Sequence, residues 1–125
     1  MLRVILDTDF LLNCLRWKID IAKELKRVLD EPFEICILSN ILDELKNKKD
    51  AKLAQAYISK LTVIDTHIPG PFDTVIFHYP GSYVATQDKA LKEKLKKSGF
   101  GIITIRQQSY LQVHHVLWSR SPKPR

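Results

Sequence analysis

Leu2-Arg3-Val4-Ile5-Leu6-Asp7-Thr8-Asp9-Phe10-Leu11-Leu12 decides the architecture. Leu2, Val4, Ile5 and Leu6 make a nearly continuous apolar run, the pattern of a strand buried on both faces, and the run stops abruptly at an acid. Similar runs recur at Ile35-Cys36-Ile37-Leu38, Leu61-Thr62-Val63-Ile64, Tyr83-Val84-Ala85 and Ile102-Ile103-Thr104-Ile105. Five short, β-branched, widely spaced strands predict a central parallel five-stranded sheet.

The intervening segments carry helical spacing. Trp17, Ile21, Leu25, Val28 and Leu29 form one stripe, with Lys23, Glu24, Lys26 and Arg27 on the solvated face. Ile41, Leu42 and Leu45 open a second helix, with Ser39 or Asn40 as N-cap. Ala54, Tyr57, Ile58 and Leu61 mark a third; Asp88 caps a fourth that buries Leu91 and Leu95 and stops at Ser98-Gly99. Residues 66–81 read as a loop, a short helix from Phe72 and another loop. Residues 109–118 fit helix or strand equally. The organisation is one α/β three-layer domain over residues 1–118 with a basic, mobile tail at 119–125.

A chain of 125 residues can bury one core without disulfides. No apolar run approaches the ~20 residues of a membrane span, and the early Asp7 argues against a signal peptide. Cys14 and Cys36 lie in apolar stretches and read as buried thiols of a cytoplasmic protein. Twenty Lys and Arg against 14 Asp and Glu give a net charge of +6, which favours an anionic partner, nucleic acid first.

In parallel sheets, sites form beyond the carboxyl ends of the strands, where the strand order reverses. Asp7 and Asp88 follow the first and fourth strands, Glu44 lies one turn into the helix after the second, and Asp73 opens the short helix before the fourth. Taken singly, each acid has a bland explanation as a turn former, cap or solvated residue. Together at one edge they repel one another, and a hard divalent cation, Mg²⁺ or Mn²⁺, relieves that repulsion. Such an ion can activate a water for phosphodiester hydrolysis.

Three blocks, Ile5-Leu6-Asp7-Thr8-Asp9-Phe10-Leu11-Leu12, Asp43-Glu44-Leu45 and Val84-Ala85-Thr86-Gln87-Asp88-Lys89-Ala90-Leu91-Lys92, resemble the signature blocks of PIN-domain ribonucleases. They are most similar to the branch of archaeal VapC-like proteins and the small-subunit rRNA-processing nuclease. The resemblance covers nearly the whole chain, and Ala-Thr-x-Asp-Lys-x-Leu is its most specific part. It implies a PIN-like fold and a Mg²⁺- or Mn²⁺-dependent endoribonuclease. Asp7, Glu44 and Asp88 match family acids and metal ligands. Asp73 matches one acid of a doublet of which Phe72-Asp73-Thr74 keeps only one. Thr8 matches a small hydroxyl residue that orients a metal-bound water. Asp9 stands where Asn or Ser is usual, and Gln87 where Asn is usual. The resemblance also implies pairing into homodimers, and either an antitoxin or a ribosome-assembly partner.

Lys46, Lys48, Lys49 and Lys52 crowd the end of the helix carrying Glu44, and Lys89, Lys92, Lys94, Lys96 and Lys97 crowd the helix after Asp88. A basic rim beside an acidic pocket suits an RNA backbone, with Lys46, Lys48, Lys49, Lys89 and Lys92 as the candidate RNA-binding residues. Either cluster alone could be a solvated helix face, and lysines late in a helix also complement its dipole. Arg106, Arg120, Lys123 and Arg125 could extend the path. No aromatic stacking surface is evident, Trp17 and Trp118 reading as packing residues. The four histidines lack zinc-site spacing; His114 and His115 read as one buried and one exposed residue of a strand. Two other readings compete with a nuclease: a catalytically weak RNA-binding module in ribosome assembly, and a haloacid-dehalogenase-like phosphatase using Asp7 and Asp9. The last fits poorly, because Phe10 to Leu12 continue as an apolar helix and the chain is short for that fold.

Overall fold

The computed structural model describes residues 1–115. The expected domain end at 118, the tail at 119–125, and Trp118, Arg120, Lys123 and Arg125 lie outside the described residues. Every apolar run is a strand: β1 (Leu2–Leu6), β2 (Phe33–Leu38), β3 (Thr62–Ile64), β4 (Tyr83–Ala85) and β5 (Gly101–Arg106). These five are parallel, in the order β3-β2-β1-β4-β5. Ile5, Leu6, Ile37, Leu38, Val84 and Ile103 have no exposed surface, which explains why their runs are continuous rather than alternating. β3, at the edge, leaves Thr62 and Val63 exposed.

A sixth strand, β6 (Tyr110–His114), pairs antiparallel with β5, so the expected five-stranded sheet is corrected to six. The reason lies in the turn. Gln107 and Gln108 both adopt left-handed backbone, with φ of 53° and 51°, sending the chain straight back. A Gln-Gln pair gives none of the Gly or Asn signal that normally announces such a turn. His114 and His115 are both half-buried rather than one in and one out. The helices also need one correction. Helix α1 (Thr8–Arg16) extends the apolar helix begun at Phe10, with Trp17 as its C-cap, and α2 (Ile21–Val28) is a separate helix. Asp20 divides them by accepting a hydrogen bond from the Lys23 amide at 3.1 Å.

Four further helices complete the layers: α3 (Asn40–Leu45), α4 (Ala51–Ile58), α5 (Phe72–Val75), followed by a 3-10 turn at Ile76–His78, and α6 (Lys89–Lys97). α6 is capped by Asp88 at its start and Ser98 at its end, with Gly99 at φ 83°, in line with the sequence. Among the described residues no helix is long and apolar enough to cross a membrane, and Cys14 and Cys36 are free and buried. From β1 the chain builds β2 and β3 on one side, then returns to build β4 and β5 on the other. The order therefore reverses between β1 and β4. Asp7 and Asp88 stand at that crevice.

Candidate active site

The Asp7 amide continues the ladder one residue beyond β1 by donating to the Ala85 carbonyl at 2.9 Å. The side chain then turns to cap α1: Oδ1 accepts from the Thr8 amide at 2.7 Å and Oδ2 from Thr86 Oγ1 at 2.8 Å. Thr86 has no exposed surface, and its Oγ1 also accepts from the Asp88 amide at 3.2 Å. One buried hydroxyl thus fixes Asp7 and the start of α6 together. Asp88 Oδ1 caps α6 by accepting from the Leu91 amide at 3.1 Å, while the residue itself stays exposed. Capping and site roles coexist, because a cap occupies one of two carboxylate oxygens.

Glu44 enters from α3, held at both oxygens. Oε1 accepts from Thr8 Oγ1 at 2.8 Å and Oε2 from the Phe72 amide at 3.3 Å. Thr8 is buried with its hydroxyl donated to Glu44, so it stands behind the cleft and orients an acid. Asp73 follows Phe72 in α5 and is exposed. Asp7, Asp9, Asn13, Glu44, Pro71, Phe72, Asp73, Gln87, Asp88 and Leu91 line one cleft of about 540 Å³. All four acids expected from the sequence are therefore on its wall, joined by Asp9 and by Asn13.

Burial is the main cause that lifts the Asp7 carboxyl from 3.8 to about 6; the charges of Glu44 and Asp9 add to it, and the hydrogen bonds from Thr86 and Thr8 oppose it. Among the described residues, no three His, Cys, Asp or Glu side chains are grouped closely enough to hold an ion unaided. The charged wall of the cleft is nevertheless all carboxylate, with no thiol or imidazole. That donor chemistry fits Mg²⁺ or Mn²⁺, and Mg²⁺ characteristically takes one or two carboxylates and keeps several waters.

Three contributors escaped the sequence reading. Asn13 sits one helical turn after Asp9 and carried no motif. Thr86 was one letter of a block, and its role depends on β1. Asn40, considered only as a cap, instead donates Nδ2 to the carbonyls of Ile68 at 2.8 Å and Gly70 at 2.9 Å, and its Oδ1 accepts from Thr66 Oγ1 at 2.6 Å. Ser39 is the N-cap but makes no capping bond; its Oγ accepts from the Thr66 amide at 3.2 Å. Gln87 spends its amide on β5, accepting from the Ile105 amide at 2.7 Å and donating to the Ile105 carbonyl at 3.4 Å.

The lysines are placed differently from expectation. α3 is only six residues long and ends at Leu45, so Lys46, Lys48 and Lys49 lie in the exposed turn before α4, and Lys52 belongs to α4. Lys46 pairs with Asp43 at 3.2 Å and Lys48 with Asp9 at 3.4 Å. Lys89 is exposed and Lys92 half-buried on α6.

A PIN-like domain model matches residues 4–108, most of the chain. The chain belongs to the PIN-like domain family. It is 33% identical over 128 residues to Ribonuclease VapC4 of Methanocaldococcus jannaschii, across 90% of this chain and 97% of that one. Among solved structures it is similar to the PIN domain endonuclease Utp24, with a TM-score of 0.78 and 26% identity, covering 90% of this chain and 91% of that one. The PIN assignment leaves no support for the dehalogenase-like reading, and Asp9 indeed opens α1 with its carboxylate paired to Lys48.

Proposed function

We propose that this PIN domain is an endoribonuclease that hydrolyses RNA phosphodiester bonds in the cleft between β1 and β4, with Mg²⁺ or Mn²⁺ as cofactor. The observation that carries the reading is the convergence of Asp7, Glu44, Asp73 and Asp88 on one cleft at the point where the strand order reverses. The ribonuclease and endonuclease relatives, matched over nine-tenths of the chain, support the same chemistry. When bound, a divalent ion would lower the pKa of water and offset charge on the phosphoryl oxygens.

The chain's own residues prepare that chemistry. Asp7, Glu44, Asp73 and Asp88 would hold the ion, directly or through water. Asp7 is positioned by Thr8 and Thr86, and Glu44 by Thr8 and the Phe72 amide. Both positioned acids are thereby kept from swinging out toward solvent. With its carboxyl lifted to about 6 in the absence of an ion, Asp7 is still largely ionised at neutral pH and so available to hold one. The exposed lysines of the 46–49 turn and of α6 bind the strand through its phosphates, which fix register without reading bases. Gln87, which stands where Asn is usual, uses its amide to hold β5 in place.

Incubation with end-labelled single-stranded RNA tests the proposal. Cleavage is expected with Mn²⁺ or Mg²⁺, none with a chelator, and a loss of about 100-fold or more for Asp7→Asn. Binding of RNA without cleavage, at saturating protein and metal, would overturn it.

A further inference from the structure

Both ends of α1 are tied to the turn that joins α3 to α4. In the first turn of α1, Asp9 Oδ1 meets Lys48 Nζ at 3.4 Å; in the last turn, Arg16 reaches Asp50 at 3.6 Å. Asn13 lies between them and accepts from the Arg16 guanidinium at 3.1 Å. The spacings of four and three residues place Asp9, Asn13 and Arg16 on one face of the helix. Asp9 and Asn13 also line the cleft, so the 46–50 turn, with Lys46, Lys48 and Lys49, is held along the cleft's rim by opposite charges.

The Lys48–Asp9 pair is well exposed, with 46% and 70% of the two side chains accessible. Contacts of this kind shift an equilibrium by no more than about fivefold and weaken further with salt. Such a weak contact is suited to exchange. A carboxylate and a phosphodiester each offer an ammonium one negative charge on oxygen, and Lys48 can pass from one to the other without losing its partner. Asp9 also lines the cleft in which the proposed function places the RNA backbone.

We propose that the Asp9 carboxylate stands in for an RNA phosphate on Lys48, so that RNA enters the cleft by exchanging Asp9 for a backbone phosphate at that lysine. This rests on the RNA-cleaving reading and extends it to Asp9, which sets how tightly the strand must be held by the other lysines before Lys48 is released. Poorly matched anions, which engage few of those lysines, leave the pair closed.

A double-mutant cycle on RNA binding tests the exchange. Wild type, Asp9→Asn, Lys48→Ala and the double variant are titrated into a labelled single-stranded RNA at low salt, with a chelator to suppress cleavage. Asp9→Asn is expected to tighten binding about two- to fivefold when Lys48 is present, and to change it distinctly less in the Lys48→Ala background. An equal gain in both backgrounds, or none in either, overturns the exchange while leaving the RNA reading intact. Absence of binding by all four proteins overturns the RNA reading itself, and the exchange with it.

Discussion

Asp7 lies between Leu6, which has no exposed surface, and buried Thr8, and burial lifts its carboxyl from 3.8 to about 6. The folded chain therefore holds this proton more tightly than the unfolded chain. The stability it contributes is fully present below about pH 3.8, is lost as pH rises toward 6, and stays lost above that. The shift corresponds to about 3 kcal/mol, comparable to what full burial of one aliphatic side chain of β1 contributes. Asp7→Asn is expected to stabilise the metal-free protein at pH 7.5 by about 1–3 kcal/mol and to flatten its stability between pH 4 and 6; thermal or urea unfolding across that range measures it. An unchanged or lower midpoint would contradict the account. At this scale Asp7, Asp73 and Asp88 were legible in the sequence because each ends a strand run or begins a helix, and Glu44 because it stands one turn into the helix after β2. Thr86 and Asn13 were not, because their roles depend on elements far away in the chain. Asp7 and Thr86 are 79 residues apart in sequence.

α3 shows how a short helix sets a site. Asn40 and Glu44 are one turn apart on the same face, and both take hold of the segment from Thr66 to Phe72. The helix thereby fixes where α5 and Asp73 stand relative to Glu44. Asn40→Ala leaves carbonyls of Ile68 and Gly70 without that donor, and is expected to cost about 1–2 kcal/mol of stability. It is also expected to slow cleavage more than it weakens RNA binding, as read by cleavage at saturating RNA beside an equilibrium titration. Rate and affinity falling in step would argue against a positioning role. The five parallel strands were readable because burial on both faces writes itself as unbroken apolar runs. β6 was not. Its Leu111 amide donates to Glu24 at 2.9 Å, and its Leu111 carbonyl accepts from Arg27 at 2.7 Å. The same Glu24 and Arg27 had read as a solvated helix face, since polar side chains that cover a sheet edge look no different in sequence from those that meet water.

Across the whole molecule, the net charge of +6 divides into an acidic cleft and exposed lysines on the turn before α4 and along α6. The order of the acids along the chain was legible from sequence; their gathering required the reversal of strand order between β1 and β4. The placement of Lys46, Lys48 and Lys49 in a turn rather than on a helix was hidden, because α3 stops after six residues without a glycine or proline to mark its end. This division separates two kinds of loss. On the proposed function, the lysines would act by counterion release, so their removal is expected to weaken binding and to lower its salt dependence by about 0.7 in log–log slope per phosphate contact on a single strand. The acids, on the same proposal, would act on the bond that is cut. Single-turnover cleavage of labelled RNA in Mn²⁺, with protein raised to saturation, compares wild type with the Lys89→Ala/Lys92→Ala double variant and with Asp88→Asn. The account predicts that the lysine variant recovers the wild-type rate at saturation, while Asp88→Asn stays slower by about 100-fold or more at every concentration. Cleavage by Asp88→Asn at the wild-type rate would contradict it.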